Sequence, residues 1–574
     1  MPMSSPLPSP MALNKPQSPS MFKKRSTQSL APTSAASYLS ALSQADARAR
    51  NGNPTSSPTS TPALSLSSSV TSSSEDTVLN EFELDNVDGL SLPMHPPTSE
   101  QVFTTVHSEF GHCANEEYRL TSQHTPGALV TGHVDQDPPY YILLSTYISY
   151  LILIVLGHIR DFIGKRLKSG AYKHLMPRDG YAPLNSDFDS FYTRRLKTRM
   201  DECFSQPVTG VAGRTILLLD RISPDYNHTQ IFTGTRTRAL NISSYNYLGF
   251  AQGRGGCADA VEESIKRYGI SSCGSRLEGG SSDLHTASEA LVARFVGMED
   301  ALISSMGFAT NSTIIPALVG KGCLVISDEL NHASIRFGVR ISGAVVRMFK
   351  HNDMKSLENL LKEVISQGQP KTHRPWKKIL IIVEGLYSME GTLVNLPAII
   401  ELKKKYKSTL RLTVGDAYNH PGPAPSSSLP LWLSLPPSLL SGTEGDTRIR
   451  RLAFNSRYLH NGLIKLGFIT YGHPASPIVP ILLFNPGKMN MFHRMMKDRQ
   501  TPIVVVVVAY PATPLVTSRV RFCVSAAHTK DDIDCVLRAC DDIGDVLDLK
   551  HGIPKGERWT IEDVVSRAAD VANL

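Results

Sequence analysis

Acid, amide and imidazole side chains are gathered at the end of "CLVISDELNH" (323–332), where Asp328, Glu329, Asn331 and His332 follow an apolar run. A second apolar run, "KILIIVEG" (378–385), delivers Glu384 and, a few residues on, Ser388. Carboxylates, an imidazole and a hydroxyl held together make a site able to move protons and grip a polar ligand. In "SRVRFC" (518–523) strand alternation places Arg519 and Arg521 on one face. "MGFATNS" (306–312) sets a glycine at a turn that opens a helix, where backbone amides can receive an anion. The eight cysteines lie far apart, with no C-x-x-C pair and no histidine spacing suited to zinc, so reduced thiols and no metal centre are expected.

The elements that must position these groups follow from periodicity. "CLVISDE" and "AVVRMF" are short strands. Asp353 is placed to cap a helix carrying Leu357, Leu360, Leu361 and Val364, "KILIIVEG" is a third strand, and Pro397 occupies the first turn of the helix "PAIIELKKKYK". "LHTASEALVARF" places Leu284, Ala287, Leu291 and Phe295 on one helical face, with Ser282 or Asp283 as cap. Strand and helix alternating through short connections imply a parallel sheet covered on both faces, and such sheets collect their functional groups at the carboxyl ends of the strands. His285 and Glu278 read as structural.

Ahead of this region, residues 1–98 are dominated by Ser, Thr, Pro and Ala and are expected to form a disordered tail without a cleavable secretory signal. A linker (99–139) leads to "YYILLSTYISYLILIVL" (140–156), seventeen uncharged residues, at the lower limit for crossing a hydrocarbon core of roughly 30 Å. Asp135 and Asp137 precede it, and Arg160, Lys165, Arg166 and Lys168 follow, an asymmetry that predicts a membrane helix over 140–157 with the rest of the chain facing the cytosol. Spanning and shallow embedding both fit. The remaining boundaries are an N-terminal segment to 240, a large domain over 241–440 and a C-terminal domain from 441. A net charge of +7 on 574 residues, scattered without aromatic interleaving, gives no reason to expect nucleic acid.

"SYNYLGFA" (244–251), "SRLEGGSSDLH" (275–285), "MGFATNS", "DELNHAS" (328–334), "VEGLYSMEG" (383–391) and "YPATPLVTSRVRFCVSAAHT" (510–529), in this order, resemble the α-oxoamine synthases. The membrane segment and "GYAPLNSDFDSFYTRRLKTR" narrow the resemblance to the catalytic-type (second) subunits of fungal serine palmitoyltransferase. The resemblance implies the fold type I α/β architecture of pyridoxal-phosphate transferases, with a large mixed and parallel sheet domain and a smaller C-terminal α/β domain. It implies pyridoxal 5'-phosphate as cofactor, L-serine and palmitoyl-CoA as substrates, a homologous lysine-free subunit as partner, and the endoplasmic-reticulum membrane as location. Carried over residue by residue, Met306, Gly307 and Phe308 would line the phosphate pocket and His332 would stack on the ring. Ser388 would reach the phenolic oxygen, and Arg521, with Arg519 as competitor, would pair the substrate carboxylate.

One stretch departs from the resemblance. After "KKKYK" the family continues with a strand ending Asp-Glu-Ala-His and, later, a Thr-Lys-Ser loop bearing the lysine that binds the cofactor. Here the chain reads "STLRLTVGDAYNHPGPAPSSSLPLWLSLPPSLLSGTEG", and family wording resumes near Ser441. Asp416 is a doubtful remnant of the ring-nitrogen partner, about three positions late, and an odd shift turns a strand residue to the other face. Six prolines between 421 and 437 exclude central strands. Two explanations remain open, a mis-spliced or frame-shifted gene model and a natural non-catalytic paralogue. In either case the chain as written is expected to hold the cofactor non-covalently at most and to be inactive, with apolar neighbours of the lost strands left uncovered.

Overall fold

The computed structural model describes residues 118–121, 136–413 and 443–574, apart from residues 168, 178, 184–185, 226, 252–255, 408, 511 and 554–556. Asp416 and most of the aberrant stretch therefore lie outside the described residues. The apolar helix α1 runs Tyr140–Leu167, ten residues beyond the expected 157. Strands β1 (Thr215–Ile222) and β2 (Ile231–Asn241) form an antiparallel ribbon. Then come α2 (Asp283–Val296), α3 (Gly307–Leu318), β3 (Leu324–Asp328), α4 (Ala333–Ser342), β4 (Val345–Phe349), α5 (Met354–Gln367), β5 (Ile379–Glu384), α6 (Leu396–Tyr406) and β6 (Thr409–Thr413). The C-terminal part carries α7 (Thr443–Lys465), β7 (Ile478–Leu482), β8 (Ile503–Val504), β9 (Val506–Val508), β10 (Arg519–Cys523) and α8 (Lys530–Val546).

The site-bearing sheet has the order β4-β3-β5-β6, all parallel. Leu324, Val325 and Ile326 on β3 and Ile381, Ile382 and Val383 on β5 are fully buried, as a sheet covered on both faces requires. One face packs on α5 and α6 through Leu357, Leu361 and Ile399, the other on α3 and α4 through Ile315, Ile335 and Val339. The capping expectations at 353 and 397 hold: the Asp353 carboxylate accepts from Ser356 N, and Pro397 sits in the first turn of α6. β6 is the last strand of this sheet among the described residues.

Two further sheets complete the architecture. β9-β10-β7 is antiparallel and joins α7 and α8 in the largest apolar cluster. The other sheet runs from a two-residue strand (Val208–Thr209) through β1 and β2 to β8, the last pair parallel.

Two expectations change on contact with the structure. Ser282 does cap α2, in a reciprocal box with His285, but the apolar face of that helix is not covered: only Ala293 is buried, while Leu291, Val292, Phe295 and Val296 are exposed. Helical periodicity reports which side chains share a face, and a partner must still arrive to bury them. The membrane helix also runs past the expected end at 157, to Leu167, and one of its faces is attached to the protein. Ile142 packs with Ile469, Tyr471, Leu482 and Phe484, Ser149 Oγ accepts from Asn485 Nδ2 at 2.9 Å, His158 stacks on Phe191 at 4.2 Å, and Asp161 pairs with Arg194 at 2.9 Å and with Arg195. The opposite face, including Leu144, Ile148, Leu151, Ile152, Val155 and Phe162, is exposed.

Candidate cofactor site

β3 and β5 end in polar turns, and hydrogen bonds lock these two turns together. Asp328, 1% exposed, closes β3 and accepts from Leu330 N, setting the turn that leads to His332. Asn331 Nδ2 donates to the Ile382 carbonyl of β5 at 2.8 Å. His332 N donates to the Glu384 carboxylate. His332 is also the N-cap of α4, its Nδ1 accepting from Ser334 N at 3.2 Å, and burial lowers its pKa, which favours the neutral imidazole.

Glu384 ends β5 and is 8% exposed; burial raises its pKa to about 7, the His332 amide opposes, and the charges of Asp328 and Glu390 add to the rise. Beyond it the chain folds into a hairpin, closed by Tyr387 N to the Thr392 carbonyl at 3.0 Å and turned at Gly391 with φ +70°. A Cβ at Gly391 would collide with the Ile478 carbonyl of β7, so glycine is required there by close approach as well as by conformation.

That hairpin carries Ser388 to the arginines of β10. Arg521 Nη1 donates to the Ser388 carbonyl at 3.5 Å, and its guanidinium lies 4.8 Å from the centre of the Tyr245 ring. Arg519 donates to the Met389 carbonyl at 3.1 Å, lies 3.7 Å from the Glu390 carboxylate and sits 5.3 Å from the Tyr471 ring centre. Both arginines are buried and face the same hairpin, as strand alternation requires. Met306 is the N-cap of α3, Gly307 opens it with free space where a Cβ would lie, and Met306 and Phe308 are exposed. α3 is tied to the helix behind His332, because Asn311 Nδ2 donates to Ser334 Oγ at 3.1 Å and Phe308 meets Phe337 at 5.6 Å. The anion-receptive end of α3 and the His332 shelf are thus borne by two helices in contact.

Sequence reasoning missed a buried chain of groups beneath the hairpin. His351 Nδ1 lies 3.0 Å from Asp328 Oδ2, its Nε2 lies 2.9 Å from Thr392 Oγ1, and its ring packs edge-on against Tyr387 at 4.3 Å. The "KHND" turn holding His351 gives no local sign of this role.

The residues present match some of what pyridoxal phosphate needs. The α3 terminus would receive the phosphate, His332 would cover a ring face and Arg521 would meet a substrate carboxylate. No amine for the aldehyde is found among the described lysines that follow β6. Between Lys407 and Lys465 the sequence contains no lysine. Lys465 lies over Trp559, Lys488 donates to the Asp548 carbonyl, Lys497 pairs with Asp220, Lys530 with Asp534, and Lys550 with Asp541 and Asp545. Lys555 is outside the described residues. Lys350 follows β4, at the opposite end of the strand order from β6, and is exposed. The described residues therefore fit the group as a non-covalent ligand.

The family model for aminotransferase class I and II matches residues 237–433 and 432–540, two runs that meet inside the aberrant stretch. Serine palmitoyltransferase 2 of Kluyveromyces lactis is 44% identical over 549 aligned residues, covering 84% of this chain and 97% of that protein. Its Saccharomyces cerevisiae counterpart is 46% identical over 518, covering 79% and 92%. The chain belongs to the serine palmitoyltransferase 2 family. Among solved structures, Sphingomonas wittichii serine palmitoyltransferase aligns with a TM-score of 0.50 at 20% identity, over 64% of this chain and 100% of that one, which shows the shared fold.

These alignments also measure what is missing from this serine palmitoyltransferase 2 relative. Of 574 residues, 84% is about 480 and 79% about 450, so in both comparisons about 65 aligned positions of the yeast protein face no residue here.

Proposed function

We propose that this chain is built as the second subunit of serine palmitoyltransferase. The assembly joins L-serine to palmitoyl-CoA, releasing carbon dioxide and coenzyme A and giving 3-ketodihydrosphingosine, the entry to sphingolipid synthesis. The observation that carries this reading is identity of 44–46% over more than nine-tenths of two yeast proteins of that name. The site is compatible with it: Arg521 is a buried cation beside the Ser388 hairpin and would pair with an amino-acid carboxylate, while Arg519 donates to the Met389 carbonyl of the same hairpin. Pyridoxal phosphate, where an amine secures it, supplies the electron sink for carbon–carbon bond formation.

The partner in this reading is the homologous lysine-free subunit, and the location is the cytosolic face of the endoplasmic reticulum. The helix α1 fits a membrane-surface role, because one face is bound to the protein from Ile142 to Asp161 and the other is continuously apolar. The cations after residue 157 then lie beside the anionic headgroups. The experiment is co-expression with the homologous subunit, tag-based recovery of the pair from membranes, and measurement of coenzyme A released on adding both substrates after the missing segment of about 65 residues is restored from the S. cerevisiae protein. Release that depends on L-serine and palmitoyl-CoA supports the reading, and release with another amino acid in place of serine overturns it.

A further inference from the structure

We infer that this chain lacks an internal, sheet-extending segment that carries the amine of the site, and that it takes pyridoxal phosphate without a covalent bond. The inference rests on the serine palmitoyltransferase reading above only for the identity of the cofactor.

Four independent features converge on it. About 65 aligned positions are missing in each yeast comparison, and the family-model match breaks at 432–433, which places the gap between α6 and α7. No lysine stands between Lys407 and Lys465, and the described lysines after the gap are engaged by Trp559 or by acidic and carbonyl partners of the C-terminal part. Among the described residues the sheet β4-β3-β5-β6 ends at β6, the strand that precedes the aberrant stretch. Finally, Leu291, Val292, Phe295 and Val296 of α2, with Met298 and Leu302 just after it, are exposed apolar side chains, and Ala293 is the one buried residue of that helix. A missing layer accounts for all four.

The chemistry is then limited to binding. Backbone amides at Gly307 and Phe308 would receive the phosphate and His332 would cover the ring, and without a carbon–nitrogen bond at the aldehyde the cofactor would stay exchangeable. The test uses the 574-residue chain and a second chain with the S. cerevisiae segment inserted between 407 and 441, each purified in detergent, incubated with pyridoxal phosphate, reduced with borohydride and mapped by peptide mass spectrometry. The expected result is no pyridoxyl-lysine in the first and one stoichiometric pyridoxyl-lysine, inside the insert, in the second. A pyridoxyl-lysine in the 574-residue chain, at Lys350 or elsewhere, overturns the inference, as does a restored chain labelled only outside the insert. If the shorter chain precipitates and the restored one stays soluble, the missing layer is supported. If both precipitate, the transcript decides, and messages encoding only the shorter form overturn the idea of an omitted segment. A restored chain that is labelled but does not join serine to palmitoyl-CoA leaves this inference standing and removes the serine palmitoyltransferase reading.

Discussion

Glu384 holds its carboxyl group against the backbone of another strand's turn, and its protonation is therefore coupled to folding. Burial lifts its pKa from 4.5 to about 7. A raised carboxyl pKa means the folded state binds the proton more tightly, so this stabilisation is complete below pH 4.5 and is lost as pH rises through 7. Glu384→Gln keeps an acceptor for His332 N and removes the ionisation. Its stability relative to the parent is expected to rise between pH 5 and 8 by at most about 3 kcal/mol, measured by denaturant unfolding at each pH. The Asp328, His351 and Thr392 set makes a second prediction. Thr392→Val removes one hydrogen bond to the ring and should cost about 1 kcal/mol, whereas His351→Ala leaves the buried Asp328 carboxylate without its imidazole partner and should cost about 3 kcal/mol. A double-mutant cycle between the two should give a coupling of at least 0.5 kcal/mol, and additivity would show that the three groups do not act together.

The elements divide by how local their causes are. β3, β5, α5 and α6 were legible from apolar runs and caps because their determinants lie within a few residues, and Leu361→Ala in α5 is expected to cost about 2–5 kcal/mol by thermal or denaturant unfolding. The meeting of Arg519 with the Met389 carbonyl was not legible, since the two residues are 130 positions apart and only the packed sheets bring them together. The face of α2 was misjudged for a related reason, because its spacing describes the helix and not the layer that should cover it. The extent of α1 was underestimated because charged residues after 157 read as an end, whereas Arg194 and Asp187 pair with Asp161 and Lys165 and let the helix continue. Replacing Leu151 and Val155 on its exposed face by glutamate is expected to move the chain from the membrane pellet to the supernatant with unchanged circular dichroism. Continued pelleting would show that this face does not contact lipid.

On the scale of the whole molecule, the missing layer predicts a context-dependent mutation. Phe295→Ser is expected to change the stability of the 574-residue chain by less than about 0.5 kcal/mol, since the side chain is already exposed, but to cost more than about 2 kcal/mol once the segment is restored. Equal effects in both chains would mean that the segment does not lie on α2. The site was partly legible from the sequence because its groups end consecutive parallel strands, and partly hidden because the stretch that should complete it follows no periodicity. The contact between Gly391 and the Ile478 carbonyl has a mechanical consequence. With the arginines of β10 braced on the same hairpin, the seam between the two sheets is riveted at the Ser388 corner, so a hinge there is forbidden. Amide protons of 387–391 should then exchange as slowly as those of β7.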